Sequence, residues 1–432
     1  GMKISSSDPG GTINYIYNPD GKAISITSPS GITTIKYDDF GNQEKLIDID
    51  AGETNYKYDG FGQLLRQTDA KGSQVDYKYE SGRLKTETWS SGLIKTYKYY
   101  PVTGQLNEIS SSEGPVVSYA YDQYKRASSI TQKLDDNNTF TKSYTYDSYG
   151  RLSTTVTNSA FTETYIYNSY GYQTGQALNG TLIWRAITQD QNGVMSTYKC
   201  NSDKITTTLG FDPNGFLNSL THTSTVAGVL EAWSYNIDYT TGNLTQRSLN
   251  TGGSTSLTEM FKYDNQDRLT VDSIAGGSTR RIIYDVAGTG NIASKSDVGI
   301  YNYDDRIHAP SGVTDPTDLI SSMPAQEITY TAFNKIETLK HTIDPTNVKM
   351  LEWTYWPDFE RAKQVYKVNN QVNVTKYYAF GNFEKEITPS GTRELYYVNT
   401  PSGTVAVSVV QSGTASLYYI STDALGSFDV IT

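Results

Sequence analysis

The sequence predicts an all-β protein in which tandem β-hairpins form one long antiparallel sheet wound on itself. Three observations predict this class: a composition suited to strands and turns, a Tyr-Asp-x-x-Gly motif recurring about every 21 residues, and glycines recurring at half that step. The chain has 432 residues, enough for two or three ordinary domains, yet only 36% are apolar, below the average for a globular domain. Tyr (36) and Gly (36) fill the gap. Tyrosine brings ring area with a polar tip, so a Tyr-rich sheet is stable with few aliphatics.

The repeat sets the architecture. Full copies of the motif stand at Tyr37-Asp38-Asp39-Phe40-Gly41, Tyr58-Asp59-Gly60-Phe61-Gly62 and Tyr146-Asp147-Ser148-Tyr149-Gly150. Relaxed copies start at Tyr17, Tyr79, Tyr99, Tyr121, Tyr167, Phe211, Tyr239, Tyr263, Tyr284, Tyr303, Tyr330 and Tyr355, with a worn one at 189–193. Beneath this period, glycines fall at 21, 31, 41, 52, 62, 72, 82, 92, 104 and 114. An Asp, Asn or Ser tends to precede each by three positions, as in Asp38/Gly41, Asp59/Gly62 and Asp69/Gly72. The Asp or Ser accepts backbone hydrogen bonds in a turn, and the glycine closes a three-residue hairpin loop in the left-handed conformation. Each period therefore holds one β-hairpin.

Between turns the residues alternate. In Gly31–Asp38, Thr33, Ile35 and Tyr37 share one face and Ile32, Thr34 and Lys36 the other. Tyr56/Tyr58 against Lys57 and Tyr77/Tyr79 against Lys78 repeat the pattern. About 40 strands at ~4.8 Å would extend on the order of 190 Å if flat, and open sheets that large curl. A spiral and a β-propeller both satisfy that requirement. The spiral is preferred, because Gly41, Gly62 and Gly82 sit in near-identical contexts, whereas a propeller separates odd from even hairpins. Residues 1–306 form the hairpin array. Residues 307–327 form an irregular segment with Pro310, Pro316 and Pro324, where Asp315-Pro316 is expected to cap a short helix. Residues 328–432 resume the repeat.

The run Tyr146-Asp147-Ser148-Tyr149-Gly150-Arg151-Leu152, with Tyr79-Glu80-Ser81-Gly82-Arg83-Leu84 close to it, resembles the YD-repeat/RHS family of bacterial polymorphic toxins, insecticidal toxin complexes and teneurins. Later segments, 307–310, 328–336 and 355–361, are similar to that family's second half. Tyr418 to Ser427, with Asp423, Leu425 and Gly426, resembles the opening of the RHS core-associated region. The resemblance implies a hollow, here partly open, shell that encloses or presents a C-terminal effector released by self-cleavage. That cleavage depends on aspartates beyond this signature, so its segment is expected to be absent from a chain ending at Thr432. The implied function is a structural and interaction role in an exported, extracellular or cell-surface bacterial protein, with no enzyme activity. The implied structural turn residues are Tyr37, Asp38, Gly41, Tyr58, Asp59, Gly62, Tyr146, Asp147, Gly150 and Arg151.

Composition excludes several partners. A net charge of −10 opposes nucleic acid and anionic membranes. No apolar run is long enough to span a bilayer, and Lys36, Lys57 and Lys78 at matched positions oppose a lipid-facing strand band. The opening Gly1-Met2-Lys3 shows no signal-peptide run, and Gly1 is expected to be a cloning remnant. The lone Cys200 forms no framework. His222, His308 and His341 lack metal-ligand spacing and are expected on loops or faces. No metal, cofactor or catalytic residue is assigned, and the recurring aspartates are accounted for by turns. Asp135-Asp136 and Asp304-Asp305 are minor calcium candidates. Among Trp89, Trp184, Trp233, Trp353 and Trp356, the pair Trp353 and Trp356 is the densest cluster. These two are the candidate ligand-facing aromatics of the second reading, a surface adhesin that binds a glycan or a cell-surface protein.

Overall fold

The computed structural model describes every residue except 190–192, 253–255, 286–288, 304–307, 309 and 315–325. Among the described residues every regular element is a strand, and the long sheets are not closed into a barrel. The expected helix at Asp315 and the Asp304-Asp305 pair lie outside the described residues, as does most of the worn repeat at 189–193. The chain forms two compact units: Gly1–Ile94 with Ile237–Gln246 and Thr258–Met323, and Lys95–Asn236 with Arg247–Leu257 and Pro324–Thr432.

In the first unit, strands from Ser5–Asp8 to Arg83–Trp89 pair each with the next, antiparallel throughout. This unbroken pairing runs past the four-strand limit of a propeller blade. Strand Gly31–Tyr37 shows why the sequence folds this way: Ile32 and Lys36 are exposed, and Thr33, Ile35 and Tyr37 are half-buried. The polar face carries opposite charges across neighbouring strands, Lys45–Glu53 at 2.7 Å and Arg66–Asp76 at 2.5 Å, which offsets the repeated lysines. On one rim the turns crowd together. A Cβ on Gly31, whose φ is +147°, would stand 2.1 Å from Ile49 Cδ1 of the next hairpin.

The later strands of this unit return to the earlier ones at a near-constant offset. Gln266 Nε2 donates to Pro9 O (3.1 Å), Ser30 Oγ to Thr289 O (3.5 Å) and the His308 amide to Asp50 Oδ1 (3.2 Å), separations of 257, 259 and 258 residues. Two runs of hairpins within this unit thus meet at a near-constant offset.

The second unit holds the main apolar core. Val117, Phe140, Phe161, Ile183, Trp184 and Tyr198 from residues 95–236 pack with Trp356, Phe383, Tyr396, Val398 and Ala406 from residues 324–432. Phe161 stacks on Tyr396 at 4.7 Å and Phe140 meets Phe383 at 5.5 Å. The layers are also tied by polar contacts: Trp184 Nε1 to Ser402 Oγ (3.1 Å), Gln176 Nε2 to Asn399 O (3.0 Å) and the Phe380 amide to Gln132 Oε1 (3.1 Å). Strands Gln326–Tyr330 to Phe428–Ile431 again pair each with its successor.

Candidate functional site

The repeated motif works as a stitch between hairpins. Asp147 Oδ1 accepts the Tyr149 and Arg151 amides at 2.9 Å, and Oδ2 accepts from Arg151 Nε at 2.7 Å. Gly150, with φ +82°, donates its amide to Asp147 O at 3.0 Å. The Arg151 guanidinium then lies 4.5 Å over the ring of Tyr167, the tyrosine of the next unit. Tyr167 OH donates back to Leu152 O, the residue after that arginine (2.9 Å). The same set joins Asp122, Arg126 and Tyr146, and again Asp264, Arg268 and Tyr284.

The copies at Tyr37 and Tyr58 lack the arginine. Asp38 holds the Phe40 and Asn42 amides at 3.0 and 2.8 Å, and Tyr37 OH reaches Ala23 O at 3.1 Å. Asp59 holds the Phe61 and Gln63 amides, both at 2.9 Å, with Gly62 at φ +79°. Tyr58 is half-buried, and burial raises its phenol pKa. Burial alone would raise the Asp147 carboxyl, but the Arg151 amide and guanidinium hold it below its ordinary value. Asp38 is lowered chiefly by the Asn42 side chain. Asp423, Leu425 and Gly426 form one more such turn, with Asp423 Oδ1 on the Leu425 and Ser427 amides at 2.9 and 2.8 Å. Leu425 is exposed there.

Trp353 and Trp356 come together at a cavity of about 760 Å3 in the second unit. It forms where three hairpin turns on one rim align: 331–335, 356–360 and 379–382. Trp356 is 2% exposed, with Nε1 donating to Tyr378 O at 2.9 Å, so it belongs to the core as well as lining the cavity. Trp353 is half-buried, its Nε1 donates to Gln364 Oε1 at 3.1 Å, and the Arg361 guanidinium lies 5.9 Å from its ring. Lys335, Asp358, Glu360 and Glu384 complete the charged lining. Burial raises the Glu384 carboxyl. Phe359 occupies the left-handed bulge position, at φ +67°, that glycine takes in other turns. Its ring stacks on Phe333 at 4.3 Å and carries the Lys95 ammonium at 3.3 Å.

Two buried polar groups escaped the sequence reading. Tyr396 OH donates to Glu163 Oε2 at 2.6 Å, and Gln176 Nε2 to Glu163 Oε1 at 2.7 Å. Burial, and then the Glu163 charge, pushes the Tyr396 phenol far up. The second group corrects the expectation for His222, which is buried rather than on a loop or face. Its Nε2 lies 3.2 Å from Thr422 O and 3.4 Å from Glu231 Oε1, and its Nδ1 lies 2.8 Å from Thr207 Oγ1. Donation from Nε2 to the carbonyl makes Nδ1 the acceptor. Glu231 is 1% exposed, and among the described residues neither carboxyl oxygen has a hydrogen-bond partner. Burial, with Asp429 beside it, raises its pKa to about 8. Burial lowers His222. Asp429 Oδ2 accepts from Trp233 Nε1 at 2.9 Å.

Cys200 is buried, and burial pushes its thiol up to about 12. Asp135 is occupied by its own turn, on the Asn137 amide and the Asn138 side chain, and Asp136 pairs with Lys133 at 2.8 Å. Among the described residues no group of three His, Cys, Asp or Glu side chains is placed to hold a metal ion.

Residues 2–160 match the family model described as Teneurin YD-shell. No curated protein matches the chain in sequence. In three dimensions the whole chain superposes on part of the crystal structure of TcdB2-TccC3-Cdc42, with a TM-score of 0.79 at 16% identity over 100% of this chain and 26% of that one. For TcdB2-TccC3 without its hypervariable C-terminal region the TM-score is 0.79, at 16% identity over 97% and 25%. A Photorhabdus luminescens Tc holotoxin pore gives 0.71, with the same identity and coverage. The chain thus spans about a quarter of the length of the solved chains it matches.

Proposed function

Starting from a chain that folds as the wall of a YD-repeat shell, we propose that it is a non-catalytic structural part of an exported protein and encloses or presents a C-terminal effector polypeptide. The observation that carries this reading is the return of the first unit's hairpins on themselves at offsets of 257 to 259 residues. A sheet that winds in register hides strand edges that would otherwise pair with other chains. The stitches make the wall stiff at each unit: a carboxylate-capped turn, a guanidinium on the next ring, and a phenol on the carbonyl beyond. Such a wall suits containment better than turnover of a substrate. An extracellular or cell-surface location goes with the reading.

Limited proteolysis of the complete gene product tests it. The polypeptide downstream of Thr432 is expected to survive while the wall is folded and to be digested once the wall is melted. Digestion at equal rates in both states would overturn enclosure. The adhesin reading is favoured by a different observation, the exposed turn aromatics Phe40, Phe61, Tyr149 and Tyr170. Retention of the protein on a cell surface, lost when these four become serine, would support it.

A further inference from the structure

Three features of the rim cavity of the second unit point to a ligand. Its volume, about 760 Å3, falls within the roughly 300–1,000 Å3 range of small-molecule sites. Its wall keeps a phenylalanine, Phe359, in a left-handed conformation at φ +67°, which is costly for a bulky residue and persists where the surroundings impose it. And it gathers charged side chains of both signs, Lys335 and Arg361 against Asp358 and Glu360, none of which forms an ion pair among the described residues.

The chemistry of the lining narrows the ligand. The turn backbones are already satisfied: Thr331 N donates to Lys335 O, Trp356 N to Glu360 O, Phe359 N to Trp356 O, and Asn382 N to Ala379 O. A peptide strand added to a sheet edge needs free main-chain donors and acceptors, and these turns spend theirs internally. Recognition therefore falls to side chains. Carboxylates only accept and guanidinium or ammonium groups only donate. Both kinds around one aromatic wall match a ligand whose hydroxyls do both and whose C–H face packs on a ring. Lys335 and Arg361 stand against Asp358, Glu360 and a Glu384 that Lys376 already faces at 4.0 Å, so the cavity carries no strong excess of either sign.

From this we infer that the cavity binds a neutral oligosaccharide, with the Trp353 ring as its platform and Arg361, Asp358 and Glu360 holding its hydroxyls. This does not depend on the shell proposal, because a saccharide site fits either a shell wall or an adhesin.

The test is titration of the chain, followed by intrinsic tryptophan fluorescence and by calorimetry, with four probes: maltotriose, cellotriose, chitotriose and N-acetyllactosamine. At least one is expected to bind saturably. Trp353→Ala and Arg361→Gln are each expected to weaken that binding about tenfold or more, the worth of a lost charge-assisted hydrogen bond or ring contact. Trp353→Phe retains an aromatic face and is expected to fall between the wild type and Trp353→Ala, which separates a lost platform from a damaged fold. Unchanged circular dichroism confirms folding of each variant. Saturable binding by none of the four probes, or binding that survives both Trp353→Ala and Arg361→Gln, would overturn the inference.

Discussion

Replacing Glu231 by Gln removes an ionisable group from a site where, among the described residues, neither carboxyl oxygen has a hydrogen-bond partner and the side chain is 1% exposed. The carboxyl prefers to stay protonated in the folded state, because burial and the adjacent Asp429 raise it from 4.5 to about 8. In the unfolded chain it ionises near its ordinary value. From there up to about 8 the folded state holds the extra proton, so stability falls as pH rises and levels off above that point. At about 1.4 kcal/mol per unit, the full shift corresponds to roughly 5 kcal/mol, an upper bound that solvent relaxation reduces to about half.

His222 acts with the opposite sign. Burial lowers its pKa below 6.5, so it costs stability as pH falls below that value. Burial pushes the Tyr235 phenol beside the cluster up to about 12, outside the range between pH 6.5 and 8. That window isolates Glu231. Melting or urea unfolding of the wild type is expected to lose about 1 kcal/mol per pH unit there, whereas Glu231→Gln is flat and more stable at pH 8 by about 2–3 kcal/mol. Parallel pH profiles, or a Gln variant weaker at pH 8, would refute the assignment of a protonated carboxyl.

Further outcomes follow from the same geometry. Tyr146→Phe removes only the hydroxyl that donates to Ala127 O and is expected to cost about 1 kcal/mol in urea unfolding. Asp147→Ala strips two amides and Arg151 of their acceptor and is expected to cost more, about 1–2 kcal/mol. Gly31→Ala places a Cβ against Ile49 at a positive φ and is expected to lower the melting temperature, with Ile49→Ala partly restoring it. Cys200, buried with a thiol pushed up to about 12, is expected to resist a thiol reagent at pH 8 until the protein unfolds; rapid labelling of the native state would contradict its placement.

The hairpin period was legible because its causes are local. Asp38 with Gly41, or Asp147 with Gly150, fixes a turn within five residues, and alternation such as Thr33, Ile35 and Tyr37 sets a face. What the tyrosine does was not legible: its hydroxyl meets a carbonyl of the neighbouring hairpin, and spacing alone carries no hydrogen-bond partner. The core of the second unit was equally hidden. Glu163 meets Tyr396 across 233 residues and His222 meets Thr422 across 200, and pairings so distant leave no periodic trace. The tandem Trp353 and Trp356 marked the rim cavity, but their division into wall and core depends on the turn at Pro357, which buries Trp356. Where glycine is replaced at the bulge, as by Lys125, Asp267 and Phe359 with positive φ, the motif fades in sequence while the turn persists.

The central claim is a wound wall around a retained polypeptide. Its most direct test compares the intact mass of the complete gene product under denaturing conditions with its native elution volume. Two fragments that separate when denatured and co-elute when native are the expected result. A single chain whose C-terminal polypeptide is fully accessible to protease in the native state would contradict the account.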